Sequence, residues 1–200
     1  KRVLDVGCGH GEYTVRWSET AREVYGLDVT DDFVRTGAEL AGSNVTFVTG
    51  NTKDRLPFAD DFFDGAYNRR GPMSAYADLG RVVRPGGEIV GVHPGDRLWQ
   101  ELAKWFPGLF PALAGSPTMD KLQGYLQRCD YAAEVEAVVS AEYLHEPEDV
   151  LRARCFGQVP EILEELKASS LDAVCAIFER HATDQGLPLT FERYLVRAKV

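Results

Sequence analysis

The residues best suited to chemistry lie within the first eleven positions, which read KRVLDVGCGHG. A short apolar run containing Asp5 is followed by three alternating glycines, Gly7, Gly9 and Gly11. This pattern predicts a buried strand, a tight turn and a helix over residues 11–21, as in the first unit of a doubly wound nucleotide-binding fold. Glycine has no side chain to keep a ligand away, so the turn is suited to close contact. We also expect the helix to direct free N–H groups toward the ligand.

The glycine spacing separates two classes of ligand. A dinucleotide-binding turn has the pattern G-x-G-x-x-G, which would require glycine at position 12, where the chain has Glu12. An oxidoreductase that binds NAD is therefore disfavoured. A glycine turn that only joins a strand to a helix remains the structural alternative.

Asp28 is the second residue with a candidate role. The second predicted strand, residues 23–28, ends in Asp28, which lies 17 residues after Gly11. A carboxylate at this position can accept hydrogen bonds from ribose hydroxyls. The alternative is that Asp28 caps the next helix, residues 31–41. Because Thr30, Asp31 and Asp32 can serve as caps, we expect Asp28 to be free for a ligand.

Composition limits the class of protein. The chain has 200 residues and ordinary hydrophobic and charged content, as expected for one α/β domain. A net charge of −9 counts against a broad nucleic-acid surface. The four cysteines are scattered, which favours a reducing, cytoplasmic location and disfavours a metal site. No apolar run is long enough to span a membrane.

Three stretches together resemble one family. Residues 5–11 read D-x-G-x-G-x-G, which resembles motif I of the class I S-adenosylmethionine-dependent methyltransferases. Residues 56–58, Leu-Pro-Phe, and residues 84–87, Arg-Pro-Gly-Gly, match further motifs of that family, in particular its type 11-like group. The resemblance covers most of residues 1–96.

The resemblance implies an architecture. It is a doubly wound α/β fold with a seven-stranded, mostly parallel sheet in the order 3-2-1-4-5-7-6, an antiparallel last strand and helices on both faces. We expect a single domain over residues 1–200, with a donor-binding half at 1–96, a lid or substrate segment at 97–130 and a C-terminal half at 131–200. Members of the family often carry a further N-terminal segment, which we expect to precede residue 1.

The resemblance also implies S-adenosylmethionine as the cofactor and a set of contacts to it. Asp5, Gly7 and Gly9 would lie near its methionine end and Asp28 at its ribose. Asn51 stands where the family often has an acid, and with Thr52 it would meet the adenine. Asn68 would lie below the sulfonium.

Residues after the fourth and fifth strands are the candidates for the methyl acceptor. Tyr67, Arg69, Arg70 and Trp99 are predicted to bind it, and His93 is the candidate general base. For the arginines the alternative is a salt bridge to the acidic turn at residues 60–64. For His93 the alternative is a hydrogen bond that holds its loop.

The function predicted from these residues is methyl transfer from S-adenosylmethionine to a small molecule. Two alternatives stay open. One is an RNA or protein methyltransferase, which the paired arginines favour and the acidic charge opposes. The other is a non-catalytic S-adenosylmethionine-binding module, because no clear acid–base pair is visible.

Overall fold

The sequence folds around a single sheet in a computed structural model that describes residues 1–112, 115 and 117–200. Within these residues the strands are β1 (Arg2–Val6), β2 (Glu23–Asp28), β3 (Val45–Thr49), β4 (Phe63–Arg69), β5 (Val83–Pro94), β6 (Ala133–Leu144) and β7 (Leu187–Lys199). Their order is β3-β2-β1-β4-β5-β7-β6, with β7 antiparallel to its neighbours. The predicted fold class and strand order are confirmed.

The helices connect these strands. They are α1 (Asp31–Leu40), α2 (Tyr76–Val82), α3 (Gln100–Trp105), α4 (Pro117–Leu126), α5 (Pro147–Arg154) and α6 (Pro160–His181), with 3-10 helices at Thr14–Glu19 and Met73–Ala75. Among the described helices, none combines the length and apolar character that a membrane crossing requires.

The first helix differs from the prediction. In place of an α-helix over residues 11–21, the chain forms the six-residue 3-10 helix Thr14–Glu19. The glycine turn occupies the chain as far as Gly11, and the helix cap falls on Tyr13, which makes no side-chain capping hydrogen bond. Without a cap, and with β2 starting at Glu23, the segment does not develop a full α-helix.

The register of the parallel strands brings their carboxyl ends to one edge of the sheet. Asp5 of β1 lies beside Gly26 of β2 and Tyr67 of β4. Arg69 at the end of β4 pairs with Val92 of β5. Candidate residues that are far apart in the sequence are therefore neighbours at this edge, which is where doubly wound folds bind ligands.

A bulge separates two parts of the β4–β5 ladder. Phe63 pairs with Val83, but the next pair joins Gly65 to Glu88, so residues 84–87 project from the ladder. These are the residues of the Arg-Pro-Gly-Gly motif. The motif lies within β5, which is longer at both ends than the strand predicted over residues 88–92.

The described residues form two compact units, each with its own apolar core. The first contains Lys1–Pro94, Thr118–Ala137 and Tyr194–Val200, and the second contains Gly95–Pro117 and Val138–Arg193. The first core includes Leu4, Val6, Leu27, Phe63, Tyr76 and Leu79, and the second includes Leu102, Phe106, Val150, Leu151, Val174 and Leu187. The predicted lid at residues 97–130 stays a prediction, and its residues 113, 114 and 116 lie outside the described residues.

Candidate functional site

The glycine turn contains three residues with positive φ, and all three are glycine. Gly7, Gly9 and Gly11 have φ values of +74°, +56° and +78°. A Cβ atom on Gly7 would lie 2.7 Å from both Gly71 Cα and Pro72 Cδ, and one on Gly11 would overlap the Phe47 ring. A Cβ on Gly9 would meet nothing within 4 Å. Gly7 and Gly11 therefore serve packing, and Gly9 alone faces open space.

The backbone N–H groups of the turn are used within the protein. Gly7 and Cys8 both donate to the carbonyl oxygen of Leu27, at 2.8 and 3.1 Å, and Gly11 donates to Cys8 at 3.1 Å. Gly9 donates to a carboxylate oxygen of Asp28 at 2.9 Å. The expectation that this segment offers a helix N-terminus to a ligand is therefore wrong, because the helix is short and these donors already have acceptors.

Asp28 joins the turn to the end of β2. One carboxylate oxygen accepts from Gly9 N–H and the other accepts from Thr30 N–H at 3.0 Å. Thr30, the residue before α1, makes no side-chain capping hydrogen bond. The prediction that Asp28 is left free is thus wrong, since it takes part in the junction that leads into α1. Each carboxylate oxygen has a further lone pair, so contact with a ribose stays a prediction.

Asp5 lies beneath the turn. Its carboxylate is buried and accepts a hydrogen bond of 2.6 Å from the Thr14 hydroxyl. Burial raises the pKa of Asp5 to about 6, although the hydrogen bond from Thr14 acts in the opposite direction. Asp5 therefore supports the turn from below and contributes negative charge to it.

The thiol of Cys8 lies in the same negative potential. Burial raises the pKa of this thiol to about 12, and the charges of Asp5 and Asp28 add to the rise. The thiol therefore stays protonated. The same field favours a cationic ligand over the turn.

The two residues predicted to meet an adenine ring have partners in the protein. The Asn51 side-chain oxygen accepts from the backbone N–H of Lys53 at 3.0 Å. Thr52 is buried, and its hydroxyl lies 2.6 Å from that of Ser74. A cavity of about 340 Å³ adjoins Thr52 and Ser74. Neither hydroxyl nor amide is placed as a free acceptor, so the adenine contact stays a prediction.

Asn68 lies in the last part of β4 and is buried. Its amide donates to the carbonyl oxygen of Pro72 at 2.9 Å, which closes the loop after the strand. Its own side-chain oxygen has no hydrogen-bond partner among the described residues. This unpaired acceptor is the feature of Asn68 that a ligand could use.

Arg69 and Arg70 differ in surroundings. The guanidinium of Arg69 lies over the ring of Tyr13, with its central carbon 4.5 Å from the ring centre. Arg70 has φ of +61°, and its backbone N–H donates to Val92 at 2.8 Å. The predicted salt bridge to the turn at residues 60–64 is formed by other side chains, namely Arg55, Arg81 and Arg84.

His93 lies in the first core and not at a cavity. It is 2% exposed, and its Nε2 lies 2.8 Å from the hydroxyl of Tyr76. Burial lowers the pKa of His93 to about 4. His93 lies within β5 and hydrogen-bonds Tyr76 of α2, so the alternative of a hydrogen bond that holds its loop is not what the structure has, and the role of general base stays a prediction.

Trp99 belongs to the second unit. Its indole N–H donates to a carboxylate oxygen of Glu142 at 2.8 Å. It does not line the cavities described here, so its predicted contact with the acceptor stays a prediction.

Two cavities of the first unit meet at Tyr13 and Arg69. One, of about 270 Å³, lies beside the glycine turn and is lined by Cys8, His10, Glu12 and Arg16 together with the two shared residues. The other, of about 330 Å³, lies on the face of the sheet and is bounded by Tyr67, Trp17 and Val90. Sequence reasoning missed Tyr13, Arg16, Trp17 and Val90. The signal for the first three was their position directly after the glycines, where they were interpreted only as the start of a helix.

No metal site accompanies these cavities. Within residues 1–112, 115 and 117–200, no group of His, Cys, Asp and Glu side chains is arranged to hold a metal ion.

Comparison with known proteins finds a family that part of the chain resembles. Residues 3–87 match a family model described as "Methyltransferase domain". Over this segment the chain is similar to methyltransferases. The segment contains the glycine turn, Asp5, Asp28 and the Arg-Pro-Gly-Gly motif, so the resemblance based on those residues is confirmed.

Curated relatives are similar to part of the chain in sequence, and solved structures share its fold. A demethylmenaquinone methyltransferase of a Geobacillus strain is 33% identical, over 45% of this chain and 44% of its own length. The chain spans less than half the length of the curated relatives that it matches. Two solved structures share the fold: the YcgJ protein of Bacillus subtilis (TM-score 0.64, 19% identity, 99% of this chain and 91% of that one) and geranyl diphosphate methyltransferase in complex with S-adenosylmethionine (TM-score 0.56, 18% identity, 100% and 77%).

Proposed function

We propose that this protein transfers a methyl group from S-adenosylmethionine to a small-molecule acceptor. The observation that carries the proposal is the junction of Gly9 and Asp28 within the segment that matches the methyltransferase family. The open side of Gly9 lies at the carboxyl edge of a doubly wound sheet, where folds of this type bind ligands.

The residues at the turn fit S-adenosylmethionine. A cavity of about 270 Å³ adjoins the turn, and Gly9 has no neighbour within 4 Å of the position its Cβ would take. The negative charges of Asp5 and Asp28 suit a ligand that carries positive charge. Asp28, Gly9 and the unpaired oxygen of Asn68 would hold the cofactor, which supplies a methyl group activated by its sulfonium.

The protein's part in such a reaction is alignment. The acceptor's lone pair forms the new bond to the methyl carbon, the electron pair of the carbon–sulfur bond stays on sulfur, and the acceptor's proton passes to solvent. Fixed backbone at the glycine turn holds the donor side of this line, and the walls of the adjoining cavity exclude water. Asp5 and Asp28 favour the positively charged donor over a product that has lost that charge.

The class of acceptor rests on two kinds of support. The curated relatives are named for demethylmenaquinone, a small molecule. The chain's net charge of −9 opposes a long nucleic-acid substrate. Transfer of label from S-adenosylmethionine to RNA, with a rate that falls with salt, would favour the RNA alternative instead.

Titration calorimetry with S-adenosylhomocysteine tests the proposal. We expect binding by the wild-type protein and a loss of about tenfold or more in Asp28→Ala, because the variant removes both the charge and the junction with Gly9. Asp28→Asn separates the two causes, since its amide oxygen can still accept a hydrogen bond. Asp32→Ala, at an exposed acid of α1, is the matched control and should bind normally.

A folded protein that binds neither S-adenosylmethionine nor its product contradicts the proposal. Binding without transfer to any acceptor would identify a non-catalytic module.

A further inference from the structure

A cavity on the face of the sheet is formed where glycine interrupts the side chains of β4. Val3 of β1, Gly65 of β4 and Glu88 of β5 are neighbours in the register, as are Tyr67 and Val90. Because side chains on one face alternate, Gly65 leaves a hollow between Val3 and the side chain of Tyr67. The cavity has a volume of about 330 Å³, which lies within the range of small-molecule pockets.

The walls of this sheet-face cavity are aromatic and aliphatic. Tyr67 forms one side, and Tyr13 and Trp17 from the 3-10 helix close over it. The ring centres of Tyr67 lie 6.2 Å from Tyr13 and 5.7 Å from Trp17. Trp17 is 40% exposed and Val90 is 39% exposed, which is high for large apolar side chains. Clustered apolar exposure of this kind marks a binding surface.

Polar side chains also line the cavity, with Lys1, Asp64 and Glu88 toward the amino ends of the strands and Tyr67 and Arg69 toward the carboxyl end of β4. The hydroxyl of Tyr67 is buried and lies near the carboxylate of Asp5. The guanidinium of Arg69 lies over Tyr13 at the same end. Both Tyr13 and Arg69 also line the cavity beside the glycine turn. An occupant of the sheet-face cavity thus has its polar edge next to the site proposed for the methyl donor.

We infer that the sheet-face cavity binds the methyl acceptor, and that the acceptor is a flat aromatic molecule with an acidic oxygen group at one edge. The aromatic walls fit a ring system, which stacks or packs edge-on against Tyr67 and Trp17. The Arg69 guanidinium fits an oxygen anion. The inference rests on the proposed function, since it names the acceptor class for that same reaction.

The transfer balances for such an acceptor. An oxygen lone pair at the polar edge forms the bond to the methyl carbon, and the electrons of the broken carbon–sulfur bond remain on sulfur. A hydroxyl acceptor loses its proton to solvent before the bond forms, and Arg69 stabilises the resulting oxygen anion, whose charge is lost when the methyl group is transferred.

Binding of 2-naphthoate, an aromatic anion, tests the inference. We expect it to quench tryptophan fluorescence with a saturable curve, and we expect this response to be lost in Trp17→Phe, because Trp17 lines the cavity. The neutral 2-naphthol should bind more weakly, and the non-aromatic anion cyclohexanecarboxylate should bind weakest.

Two pairs of variants locate the site by calorimetry. Arg69→Gln should weaken 2-naphthoate by about tenfold and 2-naphthol by less than about twofold, because only the former places a charge beside the guanidinium. Val90→Thr should weaken both by about fourfold through loss of one apolar group. The matched controls are Arg35→Gln, at an exposed arginine of α1, and Val139→Thr, at a valine of β6 that is 50% exposed. Both controls should bind as the wild type does.

The outcomes separate this inference from the proposed function. Binding of S-adenosylhomocysteine without binding of 2-naphthoate, or equal effects of Val90→Thr and Val139→Thr, overturns the inference and leaves the function standing. Binding of 2-naphthoate that Arg69→Gln and Val90→Thr weaken, in a protein that does not bind S-adenosylhomocysteine, confirms the aromatic-anion site and overturns the methyl-transfer role.

Discussion

Gly9→Ala tests whether glycine at position 9 is needed for ligand binding or for the stability of the fold. Gly9 has φ of +56°, and an added Cβ meets nothing within 4 Å in the protein. The left-handed conformation costs a residue with a Cβ roughly 1–2 kcal/mol. Alanine also restricts the unfolded chain, which offsets roughly 0.4–1 kcal/mol of that cost. We therefore expect the free energy of unfolding to fall by only about 1 kcal/mol.

The effect on ligand binding should be larger than the effect on the fold. The new methyl group occupies the open side of the turn, where the donor is proposed to lie, so affinity for S-adenosylhomocysteine should fall by about tenfold or more. Gly86→Ala is the matched control. Gly86 has φ of +79° and also has nothing within 4 Å, but it lies in the Arg-Pro-Gly-Gly motif away from the turn. It should lose the same stability and bind normally.

Gly11→Ala completes the comparison. Its Cβ would overlap the Phe47 ring, so it should be less stable than Gly86→Ala by about 1–3 kcal/mol. Urea unfolding and titration calorimetry on the three variants measure both quantities. Normal affinity in Gly9→Ala would refute the placement of the ligand. Equal stability of Gly11→Ala and Gly86→Ala would refute the packing role of Gly11.

Three further predictions concern stability, each measured by urea unfolding. Burial raises the pKa of Asp5 to about 6, so this group adds stability as the pH falls from about 6 toward 4, and Asp5→Asn should lack that gain; an identical pH profile contradicts it. Burial lowers the pKa of His93 to about 4, so the fold loses stability as the pH falls below about 6.5, and His93→Gln should lose less between pH 7 and pH 5 than the wild type. Arg81, 19% exposed, donates to two carboxylates and two backbone carbonyls, so Arg81→Lys should cost about 2 kcal/mol. Arg84→Lys, at a side chain 53% exposed with one ion pair, should cost less than about 1 kcal/mol, and equal losses would contradict the burial argument.

The positions of the strands could be predicted because each strand is marked by a short apolar run in the sequence. The second strand was predicted over residues 23–28, and β2 has the same bounds, Glu23–Asp28. The strand order came from the family resemblance and not from the runs themselves. What sequence patterns convey is where a strand lies and which face is buried.

The wrong predictions at the site arose because residue types do not show which backbone groups a side chain contacts or where a strand ends. Asp28 was expected to be free because capping residues follow it, but its carboxylate accepts from the N–H groups of Gly9 and Thr30. His93 was expected in a loop because strand five was ended at Val92. Extending the strand by the two-residue period from Gly91 predicts a buried His93, as the structure shows.

The sheet-face cavity was not predictable from any one segment. It depends on Gly65 and Val90, which lie far apart in the chain, and on a 3-10 helix where an α-helix was expected. In the sequence, each of these residues is a typical strand or helix residue. The strand register is what brings them together around the sheet-face cavity.

The junction that Asp28 makes has a consequence for the kinetics of binding. Since its carboxylate already joins Gly9 to Thr30 in the free protein, the turn has little backbone entropy left to lose when a ligand arrives. Association should then need no slow rearrangement, and the association rate constant should stay within the ordinary range for rigid partners. Differences in affinity among donor analogues should accordingly appear in the dissociation rate.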